Sequence, residues 1–337
     1  MIKNLKKNTI ILLLITFIVL YVVLKDDMNN IITTLGTMKY IYVLIAILFF
    51  FFYIVLRAYV NYLVVDDKEK YSFLEAIKHN IIVLFFNGIT PFSTGGQPME
   101  VYLLTEHKIR VSKATNVTIQ NFIFYQVALV IYGILAVSYN AVFHIFPKVP
   151  FLRHLVLLGF LINTLVIVVL AIFTFSDKWT KKIIHLILKI AKKIGILKKH
   201  KDLREKLDQY IDEFQKSSRK LLEDKRFFIK GVALNFIALS CLYIIPLFLV
   251  LGLNSNCLNI MDSLTASAYT LIVGSFVPIP GASGGIEYSF TQFFGNFIDI
   301  KMISAVLLIW RFITYYLGMI IGAILFNVHN KEVEKWE

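Results

Sequence analysis

Hydrophobic residues run through this chain in long blocks, and lysines and arginines collect between the blocks. Crossing the roughly 30 Å hydrocarbon core of a bilayer takes about 20 helical residues. Blocks of that length lie at about 8–24, 39–60, 117–143, 154–175, 228–252 and 303–327. Two further apolar stretches, 73–90 and 263–279, are marginal in length, and each runs straight into a proline- and glycine-rich motif. The pattern predicts an all-α integral membrane protein with about six full spans. Composition strengthens this: 58% of the side chains are hydrophobic and the mean hydropathy is +0.71, well above a soluble domain.

Charge sets the expected orientation, because cytoplasmic loops retain lysine and arginine. Lys3, Lys6 and Lys7 place the N-terminus inside, and the stretch 177–230 holds roughly half of the 35 basic residues, which makes it cytoplasmic. Residues 60–72 and 106–113 also carry a cytoplasmic signature, so the segment between them should enter from the cytoplasm, break at its motif and return. By the same parity, 263–300 enters from the outside and returns outside. The expected fold class is therefore an all-α membrane protein of about six spans plus two oppositely oriented re-entrant hairpins, related by a pseudo-two-fold inverted repeat. Its parts are an N-terminal signal-anchor span (1–38), a first repeat (39–143), a connecting span (144–176), a basic amphipathic cytoplasmic segment (177–227), a second repeat (228–327) and a cytoplasmic tail (328–337). The first span is read as retained, because Lys25, Asp26 and Asp27 follow it where a small-residue cleavage site would stand. Segment 177–227 mixes apolar residues with lysines at helical spacing, as a surface-lying helix or a solvated linker does.

The net charge of +13 points to anionic lipid and not to nucleic acid, because the basic residues flank apolar runs. Two cysteines, Cys241 and Cys257, supply neither a disulfide framework nor a cysteine metal site. No Walker loop, dinucleotide fingerprint, zinc-protease helix or nucleophile elbow is present, so no cofactor is expected.

The informative feature is a repeated motif. Pro91-Phe92-Ser93-Thr94-Gly95-Gly96 and Pro280-Gly281-Ala282-Ser283-Gly284-Gly285 share the order Pro-x-x-Ser/Thr-Gly-Gly, followed by Glu100 after four residues in one copy and by Glu287 after two in the other. Proline lacks an N–H and glycine disfavours helix, so Pro91, Gly95, Gly96, Pro280, Gly284 and Gly285 should open the backbone at membrane depth. Open backbone survives there only inside protein or along a wet cavity. Two interrupted segments at corresponding places in two halves are the pattern of inverted-repeat transporters, whose site lies between them. Candidate substrate-binding residues are Ser93, Thr94, Gln97, Glu100, Ser283, Glu287 and Arg311. Arg311 lies inside the last span, where a charge is costly. It either neutralises Glu287 and fixes the second hairpin or contacts a lipid phosphate. Asn121, Gln126 and Asn235 are expected to join helices, Arg57 to reach toward a headgroup layer, and Tyr315 to pack.

With Leu103 and Leu104, the stretch from Asn87 to Glu100 and that from Val277 to Glu287 resemble the flippase-like membrane region of the bacterial lysyl-phosphatidylglycerol synthase/flippase family, over nearly the whole chain. The resemblance implies lipid handling: outward movement of a phospholipid or aminoacyl-phospholipid headgroup. The soluble domain that transfers lysine in long members has no counterpart here. The implied partners are an anionic or aminoacylated phospholipid or a polyprenyl phosphate, with a separate synthase as a further one. The alternatives are a lipid-modifying transferase, such as a phosphatidylglycerol lysyltransferase, working through 177–227, and a scaffold that transports nothing itself.

Overall fold

The computed structural model describes residues 28–65, 70–147, 150–176, 178–183, 185–186, 212, 224–275 and 277–333. The expected span 8–24, most of segment 177–227 and the last four residues lie outside the described residues. Those described form helices and turns, with no strand among them. In chain order the helices are α1 (Met28–Thr37), α2 (Tyr40–Val64), α3 (Phe73–Ile89), α4 (Gly96–Glu106), α5 (Val111–Phe143), α6 (Pro150–Phe175), α7 (Lys225–Tyr243), α8 (Ile245–Gly252), α9 (Ile260–Gly274), α10 (Gly285–Phe294), α11 (Ile300–Arg311) and α12 (Gly318–Val333). Tyr40–Val64, Val111–Phe143, Lys225–Gly252 and Met302–His329 are each long and apolar enough to cross a membrane. His154–Val169 and Ile260–Gly274 are shorter apolar helices. This is a helical membrane protein.

Local chemistry explains where these helices begin and break. α3 starts in a capping box: the Glu75 N–H donates to Ser72 Oγ at 3.3 Å, and the Ser72 N–H donates to Glu75 at 2.6 Å. At the other end of the chain's second half, the Asp262 N–H donates to Asn259 Oδ1 at 2.9 Å to open α9. The expected span 228–252 lies within the apolar helical stretch Lys225–Gly252, which is interrupted at Ile244 between α7 and α8. Pro246 cannot donate to the preceding turn, and Leu247 N–H turns to the Ile244 carbonyl instead. The carbonyl of Tyr243 thereby loses its helical partner. It is recovered by the hydroxyls of Ser263 and Ser267 on α9, at 3.1 and 2.8 Å, as a low-dielectric setting demands. Between α11 and α12 the chain stays helical through a π-helical segment, Phe312–Leu317.

Packing between the halves is reciprocal. α3, from the first half, lies along α12 of the second, and α9, from the second half, packs on α5 of the first. α2 joins the halves again by packing on α7 and α8. The α3–α12 approach is close because Gly322 has no side chain: a Cβ there would lie 2.4 Å from the Ile81 carbonyl oxygen.

Candidate functional site

The two repeated motifs share the shape of their first three residues and part at the next two, where Thr94 and Gly95 are helical while Ser283 is extended and Gly284 has φ of 88°. In the first, extended Thr90 leads into a 3₁₀ turn, Pro91–Ser93, whose second and third residues, Phe92 and Ser93, both have φ of 54°. In the second, extended Ile279 leads into Pro280–Ala282, where Gly281 has φ of 65° and Ala282 52°. A helix then starts at Gly96 in one copy and at Gly285 in the other. Proline opens the turn because its fixed φ suits the first position. Left-handed backbone follows, which for a residue as large as Phe92 is uncommon and costs roughly 1–2 kcal/mol. The two turns touch each other.

The unequal spacing of the glutamates corresponds to unequal roles. Glu287 stands at the third position of α10, so its Oε2 reaches back to accept the Gly284 N–H at 2.6 Å while Oε1 accepts Arg311 Nε at 2.7 Å. Glu100 sits further into α4 and accepts from Asn61 Nδ2 of α2 and from Asn121 Nδ2 of α5, the latter at 3.0 Å. The first turn's amides are met by neutral groups instead: Gly95 N–H donates to Thr90 Oγ1 at 2.9 Å and Gly96 N–H to Asn87 Oδ1 at 3.0 Å. One motif is tied down by an ion pair and the other by hydroxyl and amide oxygens.

Where the turns meet α2, α5 and α11, they enclose a cavity of about 430 Å³. Of the residues expected to bind substrate, Ser93, Gln97 and Arg311 line it. Thr94, Glu100, Ser283 and Glu287 lie outside its wall. The Thr94 and Ser283 hydroxyls turn back to the carbonyls of Pro91 and Pro280, at 3.0 and 3.4 Å, and the two glutamates are occupied as described. Arg311 is 3% exposed and Glu287 1%. The guanidinium also donates through Nη2 to the Gly281 carbonyl at 2.8 Å and lies 4.6 Å from the centre of the Tyr315 ring. Arg311 therefore neutralises Glu287, the first of the two roles expected of it, and it also borders the cavity.

Two residues of the wall had been given lesser parts. Arg57, expected to extend toward a headgroup layer, donates to Asn235 Oδ1 of α7 at 2.6 Å and lies 4.5 Å from the centre of the Tyr125 ring. Tyr315, expected only to pack, donates its hydroxyl to the Gly88 carbonyl at 2.9 Å and so joins the last helix to the first motif. Their partners are distant in sequence. The one signal that singles out Arg57 is a cation within the apolar block 39–60. Asn121, Gln126 and Asn235 join helices as expected: Asn121 meets Glu100, Asn235 meets Arg57, and Gln126 Nε2 donates to Asn163 Oδ1 of α6 at 2.5 Å.

A bundle of apolar helices around two related proline–glycine turns, with a cavity of mixed polar and apolar wall and a buried arginine where they meet, makes this a helical membrane protein with an internal cavity. More particularly, the chain belongs to the family described as the lysylphosphatidylglycerol synthase TM region, whose model matches residues 9–322. It is also 24% identical over 271 residues, 77% of each chain, to a protein of Archaeoglobus fulgidus described as a UPF0104 membrane protein.

Proposed function

We propose that the protein is a flippase-like lipid translocase: a polar headgroup enters the cavity between the two turns while the acyl tails stay in the bilayer. On this reading the bilayer is the cytoplasmic membrane, both termini are cytoplasmic, and 8–24 supplies one of about six spans. The α3–turn–α4 and α9–turn–α10 units are re-entrant hairpins entered from opposite faces, which act as the two gates of an inverted repeat. The observation that carries the reading is the polar cavity at the junction of the two turns, because open backbone and buried charge are retained inside a membrane where they serve a passage. Membership of a lipid-related membrane family supports it.

The test is headgroup accessibility in proteoliposomes that contain the purified chain and fluorescent phospholipid, quenched chemically from outside. Protein-dependent loss of the protected inner-leaflet half is expected. A bulky maleimide attached to Gln97→Cys, in a background with Cys241 and Cys257 replaced by serine, should block it. Exchange that persists with the cavity plugged, or no exchange of any lipid, would overturn the proposal.

A further inference from the structure

We infer that the cavity is built for an anionic phosphate group and disfavours headgroups that carry an ammonium, and that Arg57 is its principal anion-binding residue. This rests on reading the cavity as the headgroup site.

Arg57 and Arg311 are the charged side chains that line the cavity, and no carboxylate among the described residues lines it with them. The carboxylates nearby stand behind the wall: Glu287 has both oxygens engaged, and Glu100 receives its two amide donors at Oε1. Glu287 is held by Arg311 and the Gly284 amide, and Glu100 by Asn61 and Asn121. An ammonium entering here would meet two guanidinium groups and no carboxylate to pair with. A phosphate would meet the donors it needs.

The two arginines are not equivalent. Arg311 spends Nε on Glu287 and Nη2 on a carbonyl, so its charge is already balanced by a partner 2.7 Å away. Arg57 has a neutral partner, Asn235 Oδ1, and among the described residues no carboxylate lies within ion-pair distance of it. Glu100 acts on it only across a longer gap. A guanidinium offers five N–H donors in a planar fork, and the Tyr125 face fixes that plane beside the cavity. Around it, Asn80, Asn87 and Gln97 supply neutral amides to the same wall. The Asn87 carbonyl oxygen is occupied by the Gly96 N–H, which leaves its amide N–H groups as the free donors. A wall with amide donors and a cation that has no carboxylate in direct contact matches a phosphomonoester or phosphodiester. It is a poor match for a lysyl headgroup, which brings two amines.

Binding by the purified full-length chain tests this independently of transport. The probes are dihexanoyl phosphatidic acid, dihexanoyl phosphatidylglycerol, dihexanoyl phosphatidylcholine and dihexanoyl lysyl-phosphatidylglycerol, with inorganic phosphate and glycerol phosphate as tail-free arms. The two anionic lipids should bind at least tenfold more tightly than the other two. Arg57→Gln should remove that preference while the chain stays folded at the assay temperature, its thermal midpoint lowered by the lost Asn235 contact, and Arg57→Lys should keep it. Inorganic phosphate binding as tightly as phosphatidic acid would support the anion site and overturn the lipid as its occupant. Equal or tighter binding of the choline or lysyl lipid, or a preference that survives Arg57→Gln, would overturn the inference. Failure of the translocase reading shows separately, as absence of exchange in proteoliposomes with this binding preference intact.

Discussion

The ion pair between Glu287 and Arg311 makes the sharpest quantitative demand on the structure. Glu287 has two separable jobs: its charge balances a guanidinium that is 3% exposed, and its Oε2 caps the Gly284 amide at 2.6 Å. Glu287→Gln removes the first and leaves an oxygen for the second. Removing one partner of a buried pair costs about 3–5 kcal/mol, because the remaining charge is left uncompensated. The Tyr315 ring faces Arg311 in parent and variant alike, so it cancels in the comparison. The net expectation for Glu287→Gln is a loss of about 3–5 kcal/mol. Glu287→Ala should cost roughly 1 kcal/mol more, the value of a lost helix cap. The double variant Glu287→Leu with Arg311→Met should recover to within about 2 kcal/mol of the parent, since a buried pair exchanged for apolar groups is often neutral. The assay is reversible unfolding in mixed micelles, followed by tryptophan fluorescence and analysed as a double-mutant cycle. If Glu287→Gln unfolds within about 1 kcal/mol of the parent, Glu287 is a helix cap and Arg311 finds its compensation elsewhere, and the argument above is wrong.

Three more substitutions probe the turns and their supports. Gly281→Ala should cost about 1–2 kcal/mol for its left-handed backbone, and more because the new Cβ would lie 2.2 Å from the Tyr315 hydroxyl and 2.3 Å from the ring carbon that bears it; a lowered thermal midpoint is expected, and adding Tyr315→Phe should not restore it. Asn87→Ala strips the acceptor from the Gly96 amide and should cost about 1–2 kcal/mol, whereas Asn87→Asp, which keeps that oxygen, should preserve slow amide exchange at Gly96. Enlarging Gly322 to Ala and then Leu should separate α3 from α12 in steps, with a loss of roughly 1–3 kcal/mol for the larger change, seen as a graded fall in the thermal midpoint.

How far the sequence is legible depends on how local each determinant is. The shared Pro-x-x-Ser/Thr-Gly-Gly order specifies its own turn: both copies have left-handed residues at the second and third positions, and they part only at the Ser/Thr and the first glycine. Helices fall where the apolar blocks are because burying or lipid-facing apolar surface depends on run length. The break at Ile244 is hidden by an uninterrupted hydropathy signal, and only Pro246 betrays it. The difference between the glutamates was visible as a difference in spacing, but its meaning was not: two residues after the glycines is a capping position, and four is not. Arg57 and Tyr315 were underrated because their partners, Asn235 and Gly88, lie 178 and 227 residues away. Contacts across that distance are decided by packing and leave no periodic trace.

The π-helical segment at Phe312–Leu317 begins immediately after Arg311. A π turn stores one residue more than an α turn, and π bulges recur at functional sites. Moving that surplus residue along the helix by local exchange of hydrogen-bond partners would turn each residue it passes by about 100° around the helix axis. The last helix thus holds, next to its buried cation, a register shift that could swing a side chain from one face to another while both helix ends stay anchored, Gly322 against α3 and Trp310 against Phe290.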